Sequence, residues 1–244
     1  MVQRINSTND VKTYGYTVAA TIPHDSTAFT EGLLYHDGQI YESTGLVGSS
    51  TLRKTDVATE LVTIEKVDPK IFGEGLVLWR DRLIQLTYDE GVAYCYDLDF
   101  KRLEKKFKYE GQGWGLTHDG RHLIMSNGTS QLQFRDPETF ELDHRLMVTL
   151  NGRRIGQLNE LEFVNGKIYA NVWHEDYLLE IDPQSGKVTA KIDLRGLLPR
   201  NDRPDNREAV LNGIAYNTET NRFIVTGKYW PNFYEIELVS RDEK

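Results

Sequence analysis

Two short stretches place a glutamate two residues after a phenylalanine and directly before Gly-Leu: FTEGL (29–33), with Phe29 and Glu31, and FGEGL (72–76), with Glu74. Carboxylates held close together repel, and the repulsion raises one pKa toward neutrality, where a carboxyl can both accept and return a proton. The glycine after each glutamate would let the backbone pass close to a ligand. Other residues fit around such a pair. Trp114 is flanked by glycines in GWGL, which would open its face for stacking, and Trp173 stands just before His-Glu-Asp. Asn159 and Asn212 supply amides, and Lys228, in TGKYW, would hold a neighbouring carboxylate ionised. Trp79 and Trp230 read as structural. The histidines show no metal-ligand spacing such as HExxH. His24, His36, His118 and His174 fall in expected loops or strand ends, where exposure is expected.

Glu31 and Glu74 are 43 residues apart, so only a fold that brings the chain back to one point can pair them. Internal repeats provide it. FTEGLLYHDGQIYESTG (29–45), FGEGLVLWRDRLIQLTY (72–88), GWGLTHDGRHLIMSNGT (113–129), LNELEFVNGKIYANVW (158–173) and LNGIAYNTETNRFIVTGK (211–228) each read as a hairpin with a polar turn. Their leading residues, Glu31, Glu74, Trp114, Asn159 and Asn212, are spaced by 43, 40, 45 and 53 positions, close to the period of about 40–50 for propeller blades. A second strand pair follows most hairpins, as in AYCYDLDFKRLEKKFKY (93–109) and YLLEIDPQSGKVTAKIDL (177–194). The expected fold is all-β, a five-bladed β-propeller of one domain over 1–244. The ring closes where the N-terminal strand YGYTVAATI (14–22) joins the C-terminal blade beside FYEIELV (233–239). A β-sandwich is the alternative, but it requires no regular spacing. In a propeller the first strand of each blade lines the central channel, so the five leading residues ring one mouth. Polar residues there can also merely bind channel water; two glutamates in one motif argue for chemistry. The polar segment 195–210 reads as a loop over one face, able to act as a lid.

Composition sets the partners. The formal charge is −8, and the one basic run, KRLEKKFK (101–108), alternates with apolar residues like the solvated face of an outer strand. Neither feature fits nucleic acid. No window approaches the roughly 20 apolar residues of a spanning helix, and MVQRINSTND has no apolar core for a secretory signal. Cys95 is the single cysteine and sits in the apolar run VAYCYDL, so it reads as a small core side chain.

The segments FTEGL, YESTGLVGSSTLR, FGEGL, GWGL, NELEFVNGKIYANVW, IDPQSGKV, LNGIAY and VTGKYWP, spread in order over about 15–238, resemble the glutamine cyclotransferases of plants and bacteria. The resemblance implies a five-bladed propeller that needs no zinc or other cofactor. It would act on peptides or proteins with N-terminal glutamine, closing that residue to pyroglutamate with loss of ammonia. It implies Glu74 as the catalytic acid and Glu31 at a position occupied by Glu or Gln. Trp114 and Trp173 would be aromatic walls, Asn159 an amide that holds substrate, Lys228 the pocket lysine and Phe29 a flank of the mouth. Tyr88 departs from the usual Trp and implies a changed substrate preference. A monomer outside the cytoplasm, periplasmic or secreted, is the family expectation. Two other readings of the same mouth are a calcium-dependent lactonase of the gluconolactonase type, with Glu31, Glu74, Asn159 and Asn212 as oxygen ligands, and a non-catalytic propeller that captures peptide ends.

Overall fold

The computed structural model describes residues 11–241; the opening segment 1–10, read above for a leader, lies outside the described residues. Regular structure among the described residues is strand throughout, apart from one 3-10 turn at Arg200–Asp202. The first hairpin repeat and its outer pair form a sheet of Thr30–His36, Gln39–Thr44, Thr51–Asp56 and Val62–Lys66. The second sheet holds Gly73–Trp79, Arg82–Thr87, Val92–Tyr96 and Arg102–Lys108, and the third holds Leu116–His118, Leu123–Met125, Gln131–Arg135 and Leu142–Met147. All three are antiparallel, in chain order. Thr149–Leu150 and Arg153–Arg154 make a small ribbon.

The remaining strands form one eight-stranded sheet. One half runs Leu158–Val164, Lys167–Val172, Tyr177–Ile181 and Val188–Asp193; the other runs Lys12–Pro23, Asn232–Ser240, Arg222–Gly227 and Leu211–Asn217. The N-terminal strand pairs antiparallel with the C-terminal one from Tyr14↔Ser240 to Pro23↔Asn232, as the sequence predicts. A second contact was not predicted. Lys12–Tyr14 also pairs in parallel with Ala190–Ile192, which joins the two halves edge to edge. The N-terminal strand therefore satisfies two sheet edges at once.

Apolar side chains cluster where neighbouring repeats meet. Leu52 packs with Leu76 and Leu83, Leu86 with Leu116 and Met125, and Ile124 with Leu161 and Leu179. Ile192 joins Leu211 and Ile236, while Leu33 and Ile40 join Ile224 and Phe233, linking the last repeat to the first. The leading strand of each repeat packs against that of the next, and Leu211–Asn217 packs against Thr30–His36. Close approach dictates the glycines here. A Cβ on Gly75 would stand 2.5 Å from Trp114 O, and one on Gly32 would collide with Leu76 N. The glycine after each glutamate thus admits the neighbouring strand, not a ligand. Gly113 and Gly115 beside Trp114 are likewise required by Tyr109, Thr87 and Asn159 rather than by stacking access.

Arg102–Lys108 is the outer strand of its sheet and exposes its basic residues, with Phe107 turned inward. Cys95 is a buried free thiol. His24 contradicts its expected exposure: its side chain is 2% exposed, with Nε2 3.0 Å from Glu42 Oε1 and Nδ1 2.7 Å from Trp230 O. The chain after Pro23 folds it against Phe233 and Glu42 instead of into solvent.

Candidate active site

Each leading strand except the third breaks its ladder at the residue of interest. Register shifts fall between Thr30 and Gly32, Gly73 and Leu76, Leu158 and Leu161, and Leu211 and Ile214. Such bulges turn a side chain out of the regular in–out alternation. They direct Glu31, Glu74 and Asn159 toward one cavity of about 310 Å³. Its floor is polar: Glu31, Glu74, Asn159 and Lys228 line it and are buried. Its walls are aromatic: Phe29, Phe72, Tyr88, Trp114 and Trp173, with Glu208 completing the lining. The structure thus brings together eight of the nine residues singled out in the sequence.

Asn212 is the ninth, and it does not line the cavity. It is fully buried behind Glu31, where its Nδ2 donates to Glu31 Oε2 (3.2 Å) and Thr30 O (2.9 Å). The fifth leading residue supports a carboxylate rather than meeting a ligand. Two lining residues were not foreseen. Phe72 was signalled by the repeat, since it precedes Glu74 as Phe29 precedes Glu31. Glu208 comes from the loop 195–210, which no repeat predicts.

Lys228 Nζ donates to Glu31 Oε1 at 2.6 Å and lies 4.2 Å from the Phe29 ring centroid. The lysine sits just past the strand Arg222–Gly227, its backbone N–H donating to Val210 O (2.9 Å). Burial pushes the Glu31 carboxyl up to about 7 against the opposing pull of the Lys228 ammonium. Glu74 is raised well above the usual range, first by burial and then by the charge of Glu31. Burial, more than the mutual repulsion anticipated from sequence, is the leading cause. Glu74 Oε2 and Asn159 Oδ1 have no hydrogen-bond partner among the described residues. Other buried atoms, Gln85 Oε1 and Asn212 Oδ1 among them, share that state, but these two belong to cavity-lining residues, where a ligand can supply the partner.

The aromatic walls brace one another. Trp114 and Trp173 meet edge to face at 5.9 Å, and Trp173 contacts His174 at 4.4 Å. Phe72 bridges Phe29 (6.1 Å) and Tyr88 (5.5 Å). Below Tyr88, the Tyr109 hydroxyl donates to Thr87 O and accepts from Thr87 N, fixing the strand end that presents Tyr88. No group of three or more His, Cys, Asp or Glu among the described residues is arranged to hold a metal ion.

Such a pocket, with a polar floor holding one unpartnered carboxyl oxygen and walls of flat rings, fits a small polar group enclosed away from water. Known proteins share this chain's sequence and shape. The glutaminyl-peptide cyclotransferase of Arabidopsis thaliana is 43% identical over 234 residues, covering 93% of this chain and 72% of that protein. The crystal structure of Myxococcus xanthus glutaminyl cyclase superposes with a TM-score of 0.88 at 37% identity, covering 95% of this chain and 99% of that one. The sequence model of the glutamine cyclotransferase family matches residues 1–238. The chain belongs to the glutamine cyclotransferase family.

Proposed function

We propose that this protein, a glutaminyl-peptide cyclotransferase, converts the N-terminal glutamine of peptides and proteins to pyroglutamate at the cavity above, with Glu74 carrying the protons. The observation that carries this reading is the pair of buried, unpartnered acceptors, Glu74 Oε2 and Asn159 Oδ1, under aromatic walls. The substrate's neutral α-amine attacks its own side-chain carboxamide carbon, forming the C–N bond of the lactam. The ionised Glu74 carboxylate takes the proton lost from that nitrogen. When the tetrahedral centre collapses, the original C–N bond breaks and Glu74 returns the proton to the departing nitrogen, which leaves as ammonia. No proton is gained or lost overall.

Asn159 Oδ1 accepts from a substrate N–H and so fixes which way the glutamine lies. Folding the side chain back on the amine is the larger gain, since a well-oriented intramolecular attack can remove several kcal/mol of barrier. Phe29, Phe72, Tyr88, Trp114 and Trp173 enclose the substrate, which excludes the water that would hydrolyse the amide instead. Lys228 favours the ionised form of Glu31 beside Glu74, and Asn212 holds its second oxygen.

The same proposal takes the four-stranded units as the blades of a five-bladed propeller forming a single domain, with the leading strands around its axis. The serial packing of those strands and the pairing of the two termini support it. A monomeric protein acting outside the cytoplasm without a metal completes the reading and rests on the family resemblance. Release of ammonia from Gln-Gln with loss of the free amine, undiminished by EDTA, is the expected result. Calcium-dependent hydrolysis of a lactone without ammonia release would favour the lactonase-like alternative, and no turnover of either substrate would favour a binding protein.

A further inference from the structure

We propose that Glu208 selects the residue that follows the glutamine, favouring substrates with a lysine or arginine at that position. The inference rests on the reading above and extends it from the glutamine to the peptide that carries it. The cavity has a sharp gradient of depth. At its polar floor the Glu31 and Lys228 side chains are 3% and 6% exposed and Glu74 and Asn159 are buried, whereas the Glu208 side chain is 42% exposed. The two unpartnered acceptors lie at the floor, so the glutamine occupies that level and the rest of the peptide must leave past the rim. There it meets Glu208.

The lysine at the floor is taken by Glu31, and the rim carboxylate has no cation as close among the described residues. Lys228 is held by Glu31 at 2.6 Å. The ion-pair contact of Glu208 is His174, whose Nε2 lies 4.0 Å from Glu208 Oε1, too long for a hydrogen bond, and whose own side chain is 40% exposed. A second carboxylate adds to the field: Glu90, which accepts from the N–H of the lining residue Phe72 (3.1 Å). The charges of Glu208 and Glu90 reach the floor, where they raise Glu31 and Glu74 respectively. An incoming cationic side chain is attracted by this rim and an anionic one is repelled.

The backbone under Glu208 is fixed by hydrogen bonds. Asn206 Oδ1 accepts from Glu208 N (2.9 Å), Val210 N donates to Glu208 O (2.8 Å), and Lys228 N donates to Val210 O (2.9 Å). The loop 195–210 is therefore tied at this point to the residue that holds Glu31, and it presents Glu208 at a defined place over the mouth.

The test compares kcat/KM on Gln-Lys-Ala, Gln-Ala-Ala and Gln-Glu-Ala at low ionic strength, read as the Lys-to-Glu ratio within each protein so that any general loss cancels. The native protein prefers Gln-Lys-Ala. Glu208→Gln lowers the ratio by roughly 2- to 5-fold, the range of a partly exposed ion pair, Glu208→Asp retains it, and Glu208→Lys inverts it. Salt at 0.5 M brings the native ratio toward that of Glu208→Gln, because the rim is open to screening. An equal ratio in the native protein and Glu208→Gln overturns the assignment. Turnover of Gln-Ala-Ala with that equal ratio sinks only the selectivity, whereas no turnover of Gln-Ala-Ala by the native protein sinks the reading on which it rests.

Discussion

Glu31 and Glu74 occupy matching places in adjacent leading strands, each two residues after a phenylalanine and directly before Gly-Leu, yet they are bonded differently. Glu31 places Oε1 against Lys228 and Oε2 against Asn212. Glu74 keeps Oε2 without a partner among the described residues. Both are buried, and burial raises both; the lysine opposes that rise at 2.6 Å for Glu31, while for Glu74 the charge of Glu31 adds to it. A carboxylate whose oxygens are both engaged has no oxygen left to face a substrate. One with a free oxygen and a raised pKa can exchange a proton with a substrate. A shared motif fixes position, and the partners that the fifth repeat supplies to Glu31 alone fix role.

The comparison breaks first at Glu74. Glu74→Gln keeps the shape and removes the exchangeable proton, so turnover on Gln-led peptides falls by about 10²–10⁴-fold, the usual contribution of a positioned acid–base group. Its urea midpoint stays at or above that of the native protein, because no partnered carboxylate is lost. Near-native turnover would show that the two glutamates do not differ in role as their bonding says. The next effect is on stability. Lys228→Met strands Glu31 as a buried charge, costing about 3–5 kcal/mol at pH 8. The folded-state carboxyl pKa then rises further above its unfolded value, so the folded protein binds the extra proton and stability falls as pH rises. The loss measured by urea unfolding should therefore shrink at pH 5.5. A loss independent of pH would mean that Lys228 matters through packing alone.

The sequence revealed this site through periodicity. Equivalent positions in repeats must converge, which is why the period alone groups Glu31, Glu74, Trp114 and Asn159. What lay outside the period was hidden. Glu208 sits in a loop of no repeat, and the parallel join of Lys12–Tyr14 to Ala190–Ile192 depends on strand edges that no local pattern marks. The glycines read as ligand access in the sequence because hairpin patterns do not show how closely neighbouring leading strands approach. Asn212 was legible as a leading residue but not as a support, because that depends on Thr30 and Glu31 from a repeat 181 residues away. His24 looked exposed at a strand end, and only the tertiary fold sets Glu42 and Trp230 around it.

A subtler test leaves both glutamates' strands intact and changes only the charge between them. Glu31→Gln removes the negative charge that helps to raise Glu74, so the Glu74 carboxyl ionises more easily. The base form of Glu74 then persists to lower pH, and the acid limb of the kcat profile moves to lower pH. The released Lys228 ammonium acts in the same direction. A limb that stays in place, or moves to higher pH, would show that the two carboxylates do not communicate.

The smallest effect concerns the walls. Tyr88 packs against Phe72 at 5.5 Å and lines the cavity, at a position where the family resemblance implies Trp. A Trp there adds aromatic surface worth about 0.5–1.5 kcal/mol of stacking. Tyr88→Trp should accordingly lower KM for Gln-Phe-Ala by about 2- to 10-fold and leave kcat nearly unchanged, because the added contact is made equally in the bound substrate and the transition state. A fall in kcat instead would place Tyr88 in the alignment of the reacting amine, and the contrast between a chemical floor and a merely enclosing wall would fail at that residue.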